Sequence, residues 1–397
     1  MSIIRRFIFF PVFIIFFFQG LFAQSDSCHL RISLLTCTPG DELYATFGHS
    51  ALRVIDSSAG QDIVYNYGTF NFDEPGFYSK FIRGKLRYYL STNDFYSFSQ
   101  SYVEEKRGIT EQVLNLNCDE EHKIIQALAV NLEEHNKYYK YDFLFDNCTT
   151  RLRDLVEKST NNGLHYGQVL SQKTSFRQLI YEYLDYNHKD WSKLGIDLLL
   201  GSKTDKIMSN RETMFLPDYL LKTFDSTKKY AVPLISSEQM VYKPDPPSES
   251  GIIISPMLIF GVLFVIVFAL GFSKNTVTKQ ILVGFDGFIF FITGILGCLM
   301  IFMWFGTDHI MCSNNYNLLW AWPTHALAAF YMYSRKPLVK NYFRFTAAIN
   351  ILLLLSWNWL PQAFNISVVP ILLILITRSL MHSGLVFSHG RIYRQEL

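Results

Sequence analysis

Net charge is almost missing from this chain. Thirty-six Lys and Arg set against 34 Asp and Glu leave +2 over 397 residues, which excludes the broad basic footprint of a nucleic-acid-binding protein. Cysteine is also sparse: Cys28, Cys37, Cys118, Cys148, Cys298 and Cys312 are the six. Their spacing defines no disulfide framework. Cys28, His29 and Cys37 fit no zinc pattern and lack a fourth ligand, so neither metal nor cofactor is expected. A Cys28–Cys37 disulfide, or unpaired thiols, is the expectation instead. Lys and Arg are lacking altogether from residues 306–316 and 359–366.

What the chain has in excess is apolar residues, 49% of the total with 35 Phe. The excess is concentrated at the N-terminus and after residue 250. The start, MSIIRRFIFFPVFIIFFFQGLFAQS, has a basic n-region at Arg5 and Arg6, an apolar run from Phe7 to Phe18 and a small residue at Ala23. This resembles a secretory signal peptide over residues 1–23. Leu21 is a poor residue three positions before the cut, which leaves retention as an anchor open. QSDS before Cys28 is no lipid-attachment pattern. Either way, the residues that follow are exported.

Residues 24–240 predict one exported α+β domain. LRISLLTC, SALRVID and DIVYNYGTF read as strands broken by turns. EEHKIIQALAVNLEEHNKYY reads as a helix through Ile124, Ile125, Leu128 and Leu132. A second helix starts at Cys148, with Leu152, Leu155 and Val156 on the same face. Helix-like segments fill 174–224. Residues 241–250, VYKPDPPSES, read as a linker.

Residues 251–397 predict an all-α membrane domain of about five spans: 252–272, 281–305, 317–333, 345–360 and 367–381. Lys274 and Lys279, then Arg335, Lys336, Lys340 and Arg344, then Arg378, Arg391 and Arg394 fall on one side. The loops without Lys or Arg fall on the other. That asymmetry puts the exported domain outside and the C-terminus in the cytoplasm. Asp286 lies near the inner end of the second span, Asp308 and His309 at its outer end. A functional role and a plain interfacial one are both open for them.

LFDNCTTRL, residues 144–152, carries the chemistry. Asn147 is placed as an N-cap with Cys148 in the first helical turn. The unpaired amides and dipole there favour thiolate and suit an oxyanion. His49, in YATFGHSALRV, opens a strand and supplies a base; Asn66, in the next strand, is a residue that orients the imidazole. Each has a bland reading as well. An exported Cys is more often structural, a lone His is often a satisfied core residue, and Asn66 suits a strand end. Arg151 and Arg153 read as a solvated charged face, with contact to a phosphate near the site as the other reading.

TCTPGDELYATFGHSALRV, VYNYGTFNFDEPGFYSKFIRGKLRYYL and YDFLFDNCTTRLRDLV resemble the exported N-terminal domain of the Lnb family, lipoprotein N-acyltransferases of Gram-negative envelopes. HIMCSNNYNLLWAWP resembles that family's membrane part. The order of histidine, strand and NC-helix is also similar to circularly permuted papain-like enzymes, including lecithin:retinol acyltransferase relatives. The resemblance implies a permuted papain-like fold with Cys148 as nucleophile, His49 as base and a third polar group near Asn66. There the acyltransferase relatives usually have His, at a shorter gap. It further implies an inner-membrane enzyme with its catalytic domain in the periplasm. A phospholipid would be the acyl donor and a diacylated lipoprotein the acceptor. A membrane-anchored envelope cysteine hydrolase, acting on peptidoglycan or peptide amides, uses the same dyad and is the alternative; a non-enzymatic assembly protein is the third reading.

Overall fold

The computed structural model describes residues 28–244, 254–334 and 336–385. The segment read as a signal peptide, most of the linker and the extreme C-terminus lie outside these residues.

The N-terminal half is built on a seven-stranded antiparallel sheet. Its strands are β1 (Leu30–Cys37), β2 (His49–Asp56), β3 (Gln61–Thr69), β4 (Arg87–Asp94), β5 (Ile109–Leu114), β6 (Tyr138–Lys140) and β7 (Ile235–Tyr242), in the spatial order β7-β5-β1-β2-β3-β4-β6. β7 therefore carries the domain to Tyr242, two residues into the segment read as linker.

Successive side chains of a strand point to opposite faces, so each strand feeds two cores. Ile32, Leu34, Leu52, Val54, Tyr67 and Leu90 pack one face against helices α3 (Cys118–Leu132) and α4 (Cys148–Ser159). Leu35, Cys37, Ala51 and Val64 face the other way, onto Phe98 and Tyr102 of α2 (Phe95–Glu104). Helices α5 (Phe176–Tyr186), α6 (Asp190–Leu199) and α7 (Pro217–Ser226) complete the domain, with α5 and α7 sharing a third core. A short helix, α1 (Phe77–Ile82), fills the β3–β4 connection.

β1 runs straight away from Cys28, so Cys28 and Cys37 sit at opposite ends of a strand about 25–30 Å long. The expected bridge between them is excluded. Cys28 instead lies beside Cys118 and Glu121, with potential ligand atoms all within 4.8 Å of one another.

The C-terminal half is helical: α8 (Pro256–Leu270), α9 (Thr276–Phe305), α10 (Thr324–Tyr331), α11 (Pro337–Leu355) and α12 (Val368–His382). α9 and α11 are long and apolar enough to cross a bilayer; α8 and α12 are shorter apolar helices. The stretch read as a continuous third span is broken. Residues Tyr316–Leu319 form a 3-10 turn and α10 starts only after Pro323, which cannot donate the hydrogen bond that would continue a helix through it. Lys340 and Arg344 belong to α11 rather than to a loop.

The two halves are joined by backbone contacts. Gly201 N donates to Met311 O at 2.7 Å and Ser202 N to Asn314 O at 3.1 Å. Asn315 Nδ2 donates to Leu198 O at 2.8 Å and Gln362 Nε2 to Leu200 O at 3.2 Å. Gly201 is required at this approach: a Cβ there would meet Ser313 O at 1.8 Å. Asp308 and His309 also serve this junction. Asp308 Oδ2 accepts from Lys140 at 2.8 Å, Asp308 N donates to Arg83 O at 2.9 Å, and His309 Nε2 lies 3.2 Å from Phe81 O.

Candidate active site

Asn147 caps α4 and accounts for nearly every donor of its first turn. Its Oδ1 accepts from Thr149 N at 3.0 Å and Thr150 N at 2.8 Å, and its own N–H donates to Thr150 Oγ1 at 2.8 Å. Its Nδ2 donates to Phe143 O and Phe215 O, which tethers the cap to two loops. Among the described residues one amide of the turn is left over, that of Cys148 itself. The oxyanion donors expected from the helix start thus reduce to a single one.

Cys148 is buried beneath β2 and β3, and His49 faces it. Burial alone would push the thiol up. The charge of His49 and a hydrogen bond to it outweigh burial, with the Ser50 amide and the Thr149 hydroxyl assisting, and bring the thiol down to about 7. The Thr149 Oγ1 lies 3.6 Å from Cys148 Sγ and donates to Ser50 Oγ at 3.4 Å.

His49 reaches this position because Gly48 turns the chain into β2 with a φ of +77°; a Cβ there would collide with Cys37 O at 2.7 Å. His49 Nε2 lies 3.3 Å from Asn66 Oδ1. An amide oxygen only accepts, so Nε2 is the donor and Nδ1 is the nitrogen left for the thiol. Asn66 is held in turn by Asn93, whose Oδ1 accepts from Asn66 Nδ2 at 3.1 Å. The three residues singled out in the sequence, Cys148, His49 and Asn66, are therefore brought together.

Three further residues escaped the sequence reading. Asn93 lies on β4 with no motif around it. Tyr139 and Tyr141 come from β6 and the loop after it. They meet Cys148 at Gly68, where an added Cβ would lie 3.5 Å from Cys148 Cβ, 3.6 Å from the Tyr141 ring and 3.9 Å from the Tyr139 hydroxyl. That hydroxyl is buried against the Gly68 backbone. The spacing of the tyrosines from Cys148 was the available signal, but nothing in it shows which way they fold back.

Arg151 and Arg153 are not free to meet a phosphate. Arg151 pairs with Asp146 at 2.6 Å and lies over the Tyr139 ring at 3.4 Å. Arg153 is buried against Asp154 and Arg211 O. In the helical half, Asp286 is fully buried and held by Arg378, His382 and Tyr333.

Residues 17–187 match the Lnb N-terminal periplasmic domain, and residues 247–389 match the Lnb transmembrane domain. The chain belongs to the Lnb family. It is membrane-anchored, with its N-terminal domain periplasmic, and membership suggests a lipoprotein-related function. No curated protein and no solved structure matches the chain.

Proposed function

We propose that this Lnb-family chain is a lipoprotein N-acyltransferase working through a thioester on Cys148. The observation that carries the reading is the convergence of Cys148, His49 and Asn66, with the thiol held at about 7 by the imidazole. A nucleophile, a base and a group that orients the base are what covalent acyl transfer requires.

Two steps follow from the chemistry. Cys148 thiolate attacks an acyl ester carbonyl of a membrane phospholipid while the Cys148 amide donates to the developing oxyanion. His49 gives its proton to the departing glycerol oxygen, leaving a lysophospholipid and an S-acyl enzyme. The α-amine of a diacylglyceryl-cysteine lipoprotein then attacks the thioester. His49 takes the amine's proton and the thiolate leaves. Asn66 holds the ring in the tautomer that keeps Nδ1 toward sulphur.

The fold of the catalytic half, on this reading, is a permuted papain-like α+β domain. The helical half spans the inner membrane five times and keeps the site at the surface where both substrates reside. The exported domain then begins after a signal peptide ending at Ala23, and neither metal nor cofactor takes part.

The test is intact-mass spectrometry of the detergent-purified protein with phospholipid, wild type beside Cys148→Ser. The expected result is a hydroxylamine-sensitive acyl adduct on wild type alone, discharged by a diacylated lipopeptide with acylation of its amine. Discharge by water without amine transfer would make the protein a hydrolase. No adduct in a preparation that N-acylates the lipopeptide would remove the thioester.

A further inference from the structure

The β3–β4 connection carries an unusual surface. Tyr78, Phe81 and Ile82 of α1 are 76%, 51% and 47% exposed, and the exposed cations Arg83, Lys85 and Arg87 follow at once. This turn is fastened to the outer end of α9: Asp308 N donates to Arg83 O, His309 Nε2 meets Phe81 O, and the His309 ring packs against Gly84. Immediately before Gly306, α9 ends on the stacked pair Trp304 and Phe305. The α1 turn is thus tied to the end of a helix long enough to cross the bilayer. Its cations stand where phosphate head groups would lie.

Aromatic rings lead inward from that face. Phe81 stacks on Phe77 with centroids 6.1 Å apart, Phe77 meets Phe70 at 5.9 Å, Phe70 meets Tyr88 at 5.3 Å, and Tyr88 stacks on Tyr141 at 4.3 Å. Tyr141 flanks Gly68 together with Cys148. Phe77 is buried, and Phe70, Tyr88 and Tyr141 are half-buried, so the rings form a stripe that is covered at Phe77 and partly open from Phe70 to Tyr141.

We propose that α1 dips into the outer leaflet and that this aromatic stripe takes the acyl chain of the phospholipid donor from the bilayer to Cys148. The proposal rests on the thioester reading and adds to it the route by which the donor's acyl chain reaches the thiol. Apolar rings bind a chain by area and without directionality, so longer chains gain more from the stripe than shorter ones.

The experiment compares wild type with Tyr78→Ser/Phe81→Ser/Ile82→Ser, all surface positions. Cys148 acylation is measured with dipalmitoyl phosphatidylethanolamine in vesicles and with monomeric dihexanoyl phosphatidylcholine. The long-to-short rate ratio is expected to fall about tenfold or more. In parallel, a benzophenone amino acid at position 78 of the Cys148→Ser protein is expected to crosslink to vesicle phospholipid, a readout that needs no chemistry. An unchanged ratio overturns the stripe, and no lipid crosslink overturns the insertion of α1. A wild type that is acylated by neither donor sinks the thioester instead, and the crosslink alone then decides the surface.

A separate observation concerns Cys28 and Cys118, the first near the start of the folded domain and the second at the first turn of α3. With Glu121 their potential ligand atoms lie within 4.8 Å of one another, in a domain exported to a compartment where thiols pair. The geometry points to a Cys28–Cys118 disulfide that pins the beginning of the domain to α3. Two thiols give up two protons and two electrons to an exported protein disulfide, which leaves as a dithiol. Protein alkylated at lysis with iodoacetamide and digested without reductant is expected to give a linked Cys28–Cys118 peptide. Both cysteines alkylated, or one equivalent of bound zinc released by Glu121→Gln, overturns the pairing.

Discussion

Two histidine-containing polar clusters, Asp286 with Arg378 and His382 in the membrane half and Cys148 with His49 and Asn66 in the periplasmic half, are poised in opposite ways. In the membrane half, Asp286 receives Arg378 Nε at 2.5 Å, Arg378 Nη2 at 2.6 Å and Tyr333 Oη at 3.3 Å, and its Oδ2 lies 2.8 Å from His382 Nε2. Charge meets charge with both carboxylate oxygens engaged. In the periplasmic half, His49 bonds a neutral amide, and its other side faces a thiol that is ionised or not within a unit of neutral pH. A fully paired cluster holds helices together; a cluster left one proton short does chemistry. The difference lies in the partner given to the histidine, a carboxylate with a guanidinium in one case and an amide in the other.

Removing the histidine on each side would break the comparison most sharply at the active site. His49→Ala takes away both the base and the charge that lowers the Cys148 thiol. Acyl transfer should fall by about 10²–10⁴-fold. Iodoacetamide alkylation of Cys148 should shift as well. A thiolate reacts and a thiol does not, so the wild-type rate rises with pH to a half-maximum near about 7. In the variant burial is left to act without its counterweight, and the half-maximum must move up, past the ordinary thiol value of 9.0. A profile that stays near 7 would mean that α4 itself, and not His49, sets the thiol.

Asp286→Asn tests the other side. It strands the buried Arg378 charge, a loss on the order of 3–5 kcal/mol. Thermal unfolding in detergent should come earlier by that margin, while Cys148 alkylation in the folded protein keeps its rate and its pH profile. If alkylation instead changes in protein that remains folded, the membrane cluster is coupled to the site and the contrast drawn above fails.

Much of the active site is legible in the sequence, because a helix cap and a strand start are local features. Asn147 ahead of Cys148 and Gly48 ahead of His49 each do their work within a few residues. The membrane half was less legible. Asp286 and Arg378 are 92 positions apart, and no local pattern pairs them. Arg378 reads as one more inside charge when it is a buried counter-ion. The break at Pro323 was hidden by the apolar residues on both sides, since hydropathy counts side chains and not backbone donors. Spacing offers Cys28 either its sequence neighbour Cys37 or no partner, whereas a strand puts near neighbours far apart and brings a distant helix start close.

Asn66→Ala sharpens the periplasmic side at a smaller scale. The thiol keeps its histidine, so alkylation should change little in magnitude. The imidazole loses its orienting acceptor, and acyl transfer should drop by about 10–10²-fold as the ring leaves its productive geometry. Asn66→His, which restores a hydrogen-bonding ring at the place where the acyltransferase relatives usually carry one, should recover part of the rate. A variant with full activity would reduce Asn66 to a strand residue.

The smallest effect expected is also the one that separates orientation from mere presence. Asn93 touches neither Cys148 nor His49 in any hydrogen bond; it acts only by accepting from Asn66 Nδ2 at 3.1 Å. That bond decides which end of the Asn66 amide faces His49, since an amide is nearly symmetric in shape but presents a donor at one end and an acceptor at the other. Asn93→Ala removes one hydrogen bond, about 1 kcal/mol, and lets the amide flip. In the flipped state two donors meet at His49 Nε2, and the ring can escape only by moving its proton to Nδ1, the nitrogen that must accept from Cys148. Transfer should fall about fivefold, in proportion to the flipped population. Asn93→Asp keeps the acceptor and should keep the rate, whereas an apolar residue of similar size, as in Asn93→Leu, should match the alanine variant. If Asp and Leu behave alike, the position matters only for packing of β4, and the orientation of the catalytic ring is set by Asn66 unaided.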